Sequence, residues 1–546
     1  MNEVAFEVLL TDAQSSTAIV GLRKLILTAA LRGEFDIPSE REFQLRKALQ
    51  TINSPVFVKE AVGGRKPKRI AEVGTADSIA VGSAADRFVV DLGDIATIEK
   101  GKTGIKDARP GEYPMVVTAE SRLSTDHFDF EGPAVIIPLV SSTGHGDASL
   151  KRIHYQDGRY AVGSILCAVQ SRYPDLVHPR YLYEYLAAFK DELLVSRMSG
   201  TANVSLNVGR IADVPVPLIT FDAQRKLERL MSLCDALEAK GQLEATQHVQ
   251  LVSTLLATLT DSETPAQLTE NWQRIATHFD LLLDRPEAVD ALEQTILQLA
   301  VRGLLVPQDP QDEPASELLK KIRAEKDKLI AQGKIKHDKP LPPIAEKEQP
   351  FELPSGWEWV RLDDIADNRL GKMLDKAKNT GKRYPYLRNT NVQWRQIDLD
   401  DIKEISLEAS ELEEFRLLPG DLLVCEGGYP GRCAIWNEPD REMYFQKALH
   451  RVRPRGGIAV ELIAITLETD SKSGNLEHHF TGATIKHFVG QALGRYLIPL
   501  PPLAEQSRIV TRVAQLRRLC ADLRQRLAAS QSTQAHLAEA LVQEVA

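Results

Sequence analysis

The chain is poor in cysteine and in aromatics, with five cysteines and 6% Phe, Trp and Tyr in 546 residues. Cys167, Cys234, Cys425, Cys433 and Cys520 are scattered, odd in number, and nowhere at CxxC spacing. That excludes a disulfide framework and reads as reduced thiols in a cytoplasmic protein. No run of 18 apolar residues occurs, so no membrane span is predicted. The opening residues, MNEVAFEVLLTDAQSS, lack a basic region followed by an apolar core, so no secretory signal is expected.

Catalytic signatures are missing too. There is no GxxxxGK[ST] loop for nucleotide phosphates, no HExxH for zinc and no GxSxG elbow. Leu500-Pro501-Pro502-Leu503 lacks the acid or amide that precedes the prolines in an adenine methyltransferase motif. Asp363-Asp364 and the trio Asp398, Asp400 and Asp401 have no Glu-x-Lys partner at nuclease-like spacing, and fit helix caps or a solvated face. His478 and His479 stand beside Glu477, but adjacent side chains seldom converge on one ion. No catalytic residue, metal or bound cofactor is therefore assigned to this chain.

What remains is an ordinary globular composition, 43% apolar and 26% charged, in a chain too long for one core. The formal charge of -9 argues against a surface that grips nucleic acid everywhere, though not against a local basic groove. Apolar spacing divides the chain into five parts. Residues 1-85 hold a helix over 17-35, stopped at Gly33, and then a short segment leading into a Gly/Lys/Arg-rich linker. Residues 86-220 form a mixed domain with β-like runs at 114-118, 134-139 and 162-169, a helix over 179-195 and an extended exit marked by Pro215 and Pro217. Residues 221-350 are a helical spacer and linker, beginning with about forty residues of helical spacing interrupted by Gly241. Residues 351-502 form a second mixed domain. Residues 503-546 form a final long helix. The predicted class is α+β.

The order repeats itself. The spacing that carries Gly33 onto Gly303 also carries Leu22, Ile26, Ala30 and Arg32 onto Leu292, Ile296, Ala300 and Arg302. It carries Leu92, Asp94, Ile95, Gly101 and Lys102 onto Leu362, Asp364, Ile365, Gly371 and Lys372. A slightly longer spacing carries Gly200 onto Gly482 and Gln224 onto Gln506. A duplicated chain can place two similar domains in a pseudo-twofold arrangement, with long antiparallel coiled-coil-like helices fixing the distance between them. Such symmetry suits a target with two separated halves. The frames match while the interiors (114-195 against 385-475) match poorly, so the two domains are expected to read different things.

The surviving chemistry is that of recognition. In the first domain the candidates are Lys102, Lys106 and Arg109 around a glycine turn, then Arg172, Tyr173 and His178, then Asn203 and Asn207. In the second they are Lys372, Lys382, Arg383, Arg388, Asn389 and Asn391, then Tyr429, Arg432, Gln446 and Lys447. Arg and Lys suit phosphate or guanine edges, and Asn or Gln suits adenine. Any one of these side chains also fits a solvated surface position; it is as loop sets that they stand out. The 417-453 stretch, with Gly427, Gly428 and Gly431 bracketing Tyr429 and Arg432, fits an ordinary hairpin and a recognition loop alike.

The segments LEQTILQLAVRGLLVPQDPQDEPASELLKKIRAEKDKLI, FELPSGWEWVRLDDIADNRLGK, LLPGDLLVCEGGYPGRCAIW and IPLPPLAEQSRIV resemble the specificity subunit of a type I restriction-modification system. In the first half RGEF, VVDLGDIATIEKGKT, GTANVSLNVGRIADVPVPLI and FDAQRKL are similar, and the resemblance covers 85-260 and 290-546. It implies a non-catalytic subunit with two target-recognition domains, each reading one half of a split site in double-stranded DNA. It implies that the helices bind two adenine methyltransferase subunits, that restriction (motor-nuclease) subunits join them, and that S-adenosylmethionine, ATP and Mg2+ belong to those partners. Two departures stand out: a longer lead over 36-85, and SSTGHGD at 141-147, which has no evident counterpart of GGYPGR. A protein-only repeat-built adaptor and an enzyme with an unrecognised site are the competing readings.

Overall fold

The computed structural model describes residues 16-52, 88-143, 147-200, 204-333, 343-373, 381-482 and 484-545. The chain divides into two compact units, residues 1-245 with 531-546, and residues 246-530.

The first unit opens with the helix Ser16–Leu31, whose Ile19, Leu22, Ile26 and Ala30 are buried along one stripe. Gly33 ends it at φ +78°, where a left-handed residue costs glycine little. The short segment after it, for which the sequence predicts no element, is a second helix, Pro38–Ile52. Its buried residues, Leu45 and Ile52, are sparse among charges, so the helical period is faint in the sequence. The basic run from Arg65 to Arg69 lies outside the described residues.

The mixed domain is framed by an antiparallel pair, Val89–Asp91 with Pro215–Pro217, so the proline-marked exit is an edge strand. Its main sheet has the order Ala96–Lys100, Leu166–Ser171, Ala134–Pro138, His154–Gln156, all antiparallel. A second small sheet sets Tyr113–Val116 parallel to Arg159–Val162. The expected 162-169 run is thus two strands, broken at Gly163 and Ser164. The helix expected over 179-195 stops at Ala188 and resumes as the single turn Lys190–Leu193. The exit helix Phe221–Thr260 runs unbroken through Gly241.

In the second unit the helices Pro265–Thr277 and Pro286–Val301 pack on the end of that helix and on the early turns of Leu503–Val545, around Leu256, Leu292, Ile296 and Cys520. Glu358–Arg361 pairs with Leu497–Leu500 as the frame. The main sheet has the order Ala366–Leu370, Leu449–Pro454, Asp421–Cys425, Cys433–Trp436. Lys382–Leu387 lies parallel to Tyr444–Phe445. These are the strand order and directions of the first unit, so the interiors that match poorly as sequence share one topology. The second domain adds a small hairpin, Val392–Gln393 with Gln396–Ile397.

Candidate nucleic-acid interface

In each mixed domain one end of the main sheet is built by loops held together through backbone bonds. In the first, Ala96–Lys100 ends at Gly101, whose N–H donates to Leu166 O at 2.9 Å. A Cβ at Gly101 would lie 2.3 Å from Gly163 O, so only glycine permits this approach. Ser164 N donates to Thr103 O, Leu139 N to Ile165 O, Leu206 N to Leu139 O and Ser141 N to Val204 O, all at 2.8 to 2.9 Å. Four segments therefore converge: 101-107, 139-143, 163-165 and 204-207.

Lys102, Lys106, Arg109 and Asn207 are exposed at or beside this end. The Lys102 ammonium stands 5.5 Å from the Phe130 ring centre. Asn207 accepts from Gly209 N at 2.7 Å and so caps the helix Val208–Ala212. Asn203 lies outside the described residues. Arg172, Tyr173 and His178 are not brought here. They follow Ser171, which pairs with Ala96 at the opposite end of the sheet. His178 caps the helix Pro179–Ala188, its N–H donates to Gln224 at 2.6 Å, and its ring is 3.4 Å from Glu228.

Beneath the Gly101 turn, Thr103 Oγ1 lies 2.8 Å from His127 Nε2 and His127 Nδ1 lies 2.9 Å from Asp126. The order resembles a nucleophile-base-acid relay. Thr103 is only 6% exposed, however, and its hydroxyl is also 3.0 Å from Asp129. These contacts tie the 125-129 segment to the turn and leave no accessible nucleophile.

The second domain repeats the device. Gly371 N donates to Leu449 O at 3.0 Å, and a Cβ there would meet Gln446 O at 2.3 Å. Lys372 N donates to Phe445 O and Lys447 N to Lys372 O. Glu426 N donates to Ala448 O and Phe488 N to Glu426 O, which brings in the 426-432 loop and the 481-488 loop. The 426-432 loop joins Asp421–Cys425 to Cys433–Trp436. The 139-153 connection joins the corresponding strands of the first domain, so SSTGHGD does stand at the topological position of GGYPGR. Residues 144-146 lie outside the described set.

The 426-432 loop is pre-shaped. Gly428 and Gly431 take φ +82° and +85°. Arg432 donates to Asn389 O at 2.9 Å and to Gln393 Oε1 at 3.1 Å, and its guanidinium lies 4.7 Å from the Tyr429 ring centre. Asn389 in turn donates to Gly427 O at 3.1 Å. Tyr429 is 69% exposed, held out on this support. Gln446 and Lys447 sit in the adjoining turn.

Other candidates in this domain have structural partners. Lys372 is ion-paired with Glu411, whose carboxyl that ammonium holds below the usual range. Arg388 pairs with Asp401 at 2.5 Å. Asn391 is 2% exposed and donates to Asp398 O and Asp401 O, closing a turn. Lys382 and Arg383 begin the strand whose far end leads to Arg388, and Arg383 faces Glu404 at 3.2 Å.

Sequence reasoning missed the 481-487 loop, where Thr481 and His487 exchange backbone bonds and Ile485 and Lys486 are exposed. Its signal was present in the Gly200 and Gly482 match, since both glycines take positive φ. Among the described residues no cluster of His, Cys, Asp or Glu is arranged to hold a metal ion, and no helix is long and apolar enough to cross a membrane.

Two similar mixed domains, each followed by a long helix and each presenting polar, basic loops at one end of its sheet, define a duplicated recognition scaffold. The family model for the type I restriction modification DNA specificity domain matches residues 86–246 and 354–530, and the chain belongs to that family. It is 36% identical over 398 residues to the type I restriction enzyme EcoAI specificity subunit of Escherichia coli, covering 70% of this chain and 66% of that protein. It is 35% identical over 362 residues to the EcoEI specificity subunit of E. coli, covering 64% and 61%. The chain thus spans a little under two thirds of the length of these relatives. A chain solved in work on complex assembly and conformational transition of the type I R-M system shares the fold. Its TM-score is 0.50 at 16% identity, covering 84% of this chain and 96% of that one.

Proposed function

We propose that this chain is the non-catalytic specificity subunit of a type I restriction-modification complex, each mixed domain reading one half of a split site in double-stranded DNA. The observation that carries the reading is the loop end built twice on one topology with different side chains. The first carries Lys102, Lys106, Arg109 and Asn207. The second carries Asn389, Tyr429, Arg432, Gln446 and Lys447, joined by Lys486. One scaffold with two chemistries suits an asymmetric bipartite target.

His178 then serves to seat the long helix, and Arg388 and Asn391 to shape the support under Asn389. The domain boundaries that go with this reading are 86-220 and 351-502, with 221-350 as spacer and 503-546 as the closing helix. The partners are two adenine methyltransferase subunits and the restriction subunits, which bring S-adenosylmethionine, ATP and Mg2+. An apolar groove of about 410 Å3 in the second unit, lined by Leu268, Trp272, Ile296, Leu516 and Leu519, supports protein docking on the helical spacer.

Reconstitution with the methyltransferase subunits, followed by mapping of methylated adenines, tests this. A single split motif is expected, changed in one half only when one mixed domain is exchanged. Methylation whose sequence ignores either exchange overturns the proposal and favours a protein-only adaptor.

A further inference from the structure

The two long helices are gripped by charge clusters of the same design and opposite sign. In the first unit one acid on the long helix, Asp235, receives two arginines, with Glu238 of the same helix 3.1 Å from Arg23 and Glu184 2.7 Å from Arg180. Arg23 of Ser16–Leu31 reaches Asp235 at 2.6 Å and Arg180 of Pro179–Ala188 at 2.8 Å. In the second unit Arg517 on the long helix receives two acids, while Arg524 of the same helix and Arg395 also pair with Glu293, and Lys472 with Glu468. Glu293 of Pro286–Val301 stands 3.2 Å from Arg517 and Glu468 of Val460–Ser473 2.5 Å from it.

Two of the three positions correspond, and the third lies on the corresponding helix at a different turn. The spacing that places Gly33 on Gly303 places Arg23 on Glu293, and the one that places Gln224 on Gln506 places Asp235 on Arg517. The helices bearing Arg180 and Glu468 each follow the equivalent strand of the main sheet, and each has a backbone N–H bound by the equivalent glutamine.

Two of the apolar contacts beside these clusters are alike in the two helices. Leu227 and Met231 on one correspond to Ile509 and Val513 on the other, all buried, and the glutamines are identical. Aliphatic exchanges of that size are tolerated in cores. Ala223 and Glu505, both buried, differ at equivalent positions, and charge adds to that discrimination. Glu293 and Glu468 are 3% and 2% exposed at the side chain, and Arg517, Arg180 and Arg23 are 17 to 22% exposed. Carboxylates so buried need opposite charge nearby, and like charge in its place is costly.

We propose that this inverted clamp is a pairing code, by which each half of the chain accepts its own long helix and rejects that of the other half when two copies meet. Crossed pairing sets Arg517 against Arg23 and Arg180, and Asp235 against Glu293 and Glu468. Discrimination by an incorporated repulsion is the general requirement where two sites share one shape. The inference concerns assembly and does not depend on what the loops bind.

The test uses the full chain. Asp235→Arg puts a third positive charge beside Arg23 and Arg180 in place of the acid they share, leaving Glu184 and Glu238 as their partners, and hydrogen exchange is expected to show lost protection over 221-240. The triple variant Arg23→Glu, Arg180→Glu, Asp235→Arg restores an ion cluster with the polarity of the second half. It is expected to recover that protection, yet to refold from denaturant with more crossed dimer than the wild type, read by size-exclusion chromatography with light scattering. Asp235→Asn, which removes charge without repulsion, is expected to lose part of the protection and refold as the wild type does. Equal monomer recovery for the triple variant and the wild type overturns the code. So does a triple variant that leaves 221-240 as unprotected as Asp235→Arg alone.

Discussion

Gln224 and Gln506 share two equivalent side-chain bonds in the two halves of the chain. Each is buried, at 0% and 1% exposure. Gln224 Nε2 donates to Ile219 O at 2.9 Å while its Oε1 accepts from His178 N at 2.6 Å. Gln506 Nε2 donates to Pro501 O at 2.9 Å while its Oε1 accepts from Ala459 N at 3.0 Å. One side chain thus ties three things together at a helix start: the exit strand, the long helix, and the helix that follows the main sheet.

Truncating either glutamine leaves a buried N–H and a buried carbonyl unpaired, which costs about 1–3 kcal/mol. All five tryptophans, from Trp272 to Trp436, lie in the second unit. Gln506→Ala is therefore expected to lower the denaturant midpoint followed by tryptophan fluorescence. Gln224→Ala is expected to leave that midpoint in place and to show instead as faster hydrogen exchange over 176-224.

Gly101 and Gly371 make a second matched pair. Alanine at either drives a methyl group against backbone, Gly163 O in one case and Gln446 O in the other, each 2.3 Å away. Backbone cannot rotate aside as a side chain does, and overpacking of this kind costs about 1–3 kcal/mol. Gly371→Ala is expected to loosen the 446-448 turn first, visible as lost amide protection at Lys372 and Lys447, with the core strands less affected.

Glu293 gives the second unit an acid-sensitive contact. Burial opposes its ionisation, but the Arg524, Arg395 and Arg517 guanidiniums outweigh that and hold its carboxyl below the ordinary value. A depressed carboxyl contributes stability that is present above its unfolded value, about 4.3, and lost as pH falls through the lower folded value. Glu293→Gln is expected to be destabilised near neutral pH, with the gap to the wild type closing on acidification below about pH 4. A gap that stays constant down to acid denaturation contradicts the assignment; fluorescence-detected unfolding across pH decides it.

Much of this was legible in the sequence, and the exceptions have physical causes. The long helices were readable because Leu227, Met231 and Cys234 keep one face apolar for many turns. Pro38–Ile52 was not, because Leu45 and Ile52 are too few among charges to set a period. The shared topology of the interiors was hidden because strand order is fixed by backbone register, which tolerates different side chains. The expectation that SSTGHGD lacks a counterpart compared loop residues when the strands on either side carry the equivalence. His178 and Asn391 read as surface donors because a cap or a turn bond reveals itself only when the partner backbone is in view.

Arg432 and Lys447 separate shape from charge at the second loop end. Lys447 is an exposed ammonium in the 446-448 turn. If it meets phosphate, Lys447→Ala weakens DNA binding about equally for every sequence and lowers the salt slope by about 1. Arg432 is different, since its planar group is fixed by Asn389, Gln393 and Tyr429 at once. Lysine keeps the charge but cannot form both bonds or lie flat on the ring. Arg432→Lys is therefore expected to leave the salt slope intact and to relax recognition at one half of the split site, by about 1–3 kcal/mol of discrimination. The measurement is adenine methylation by the reconstituted complex on sites altered in one half at a time. A variant that lowers methylation equally on all sites would show that the loop grips DNA without reading it.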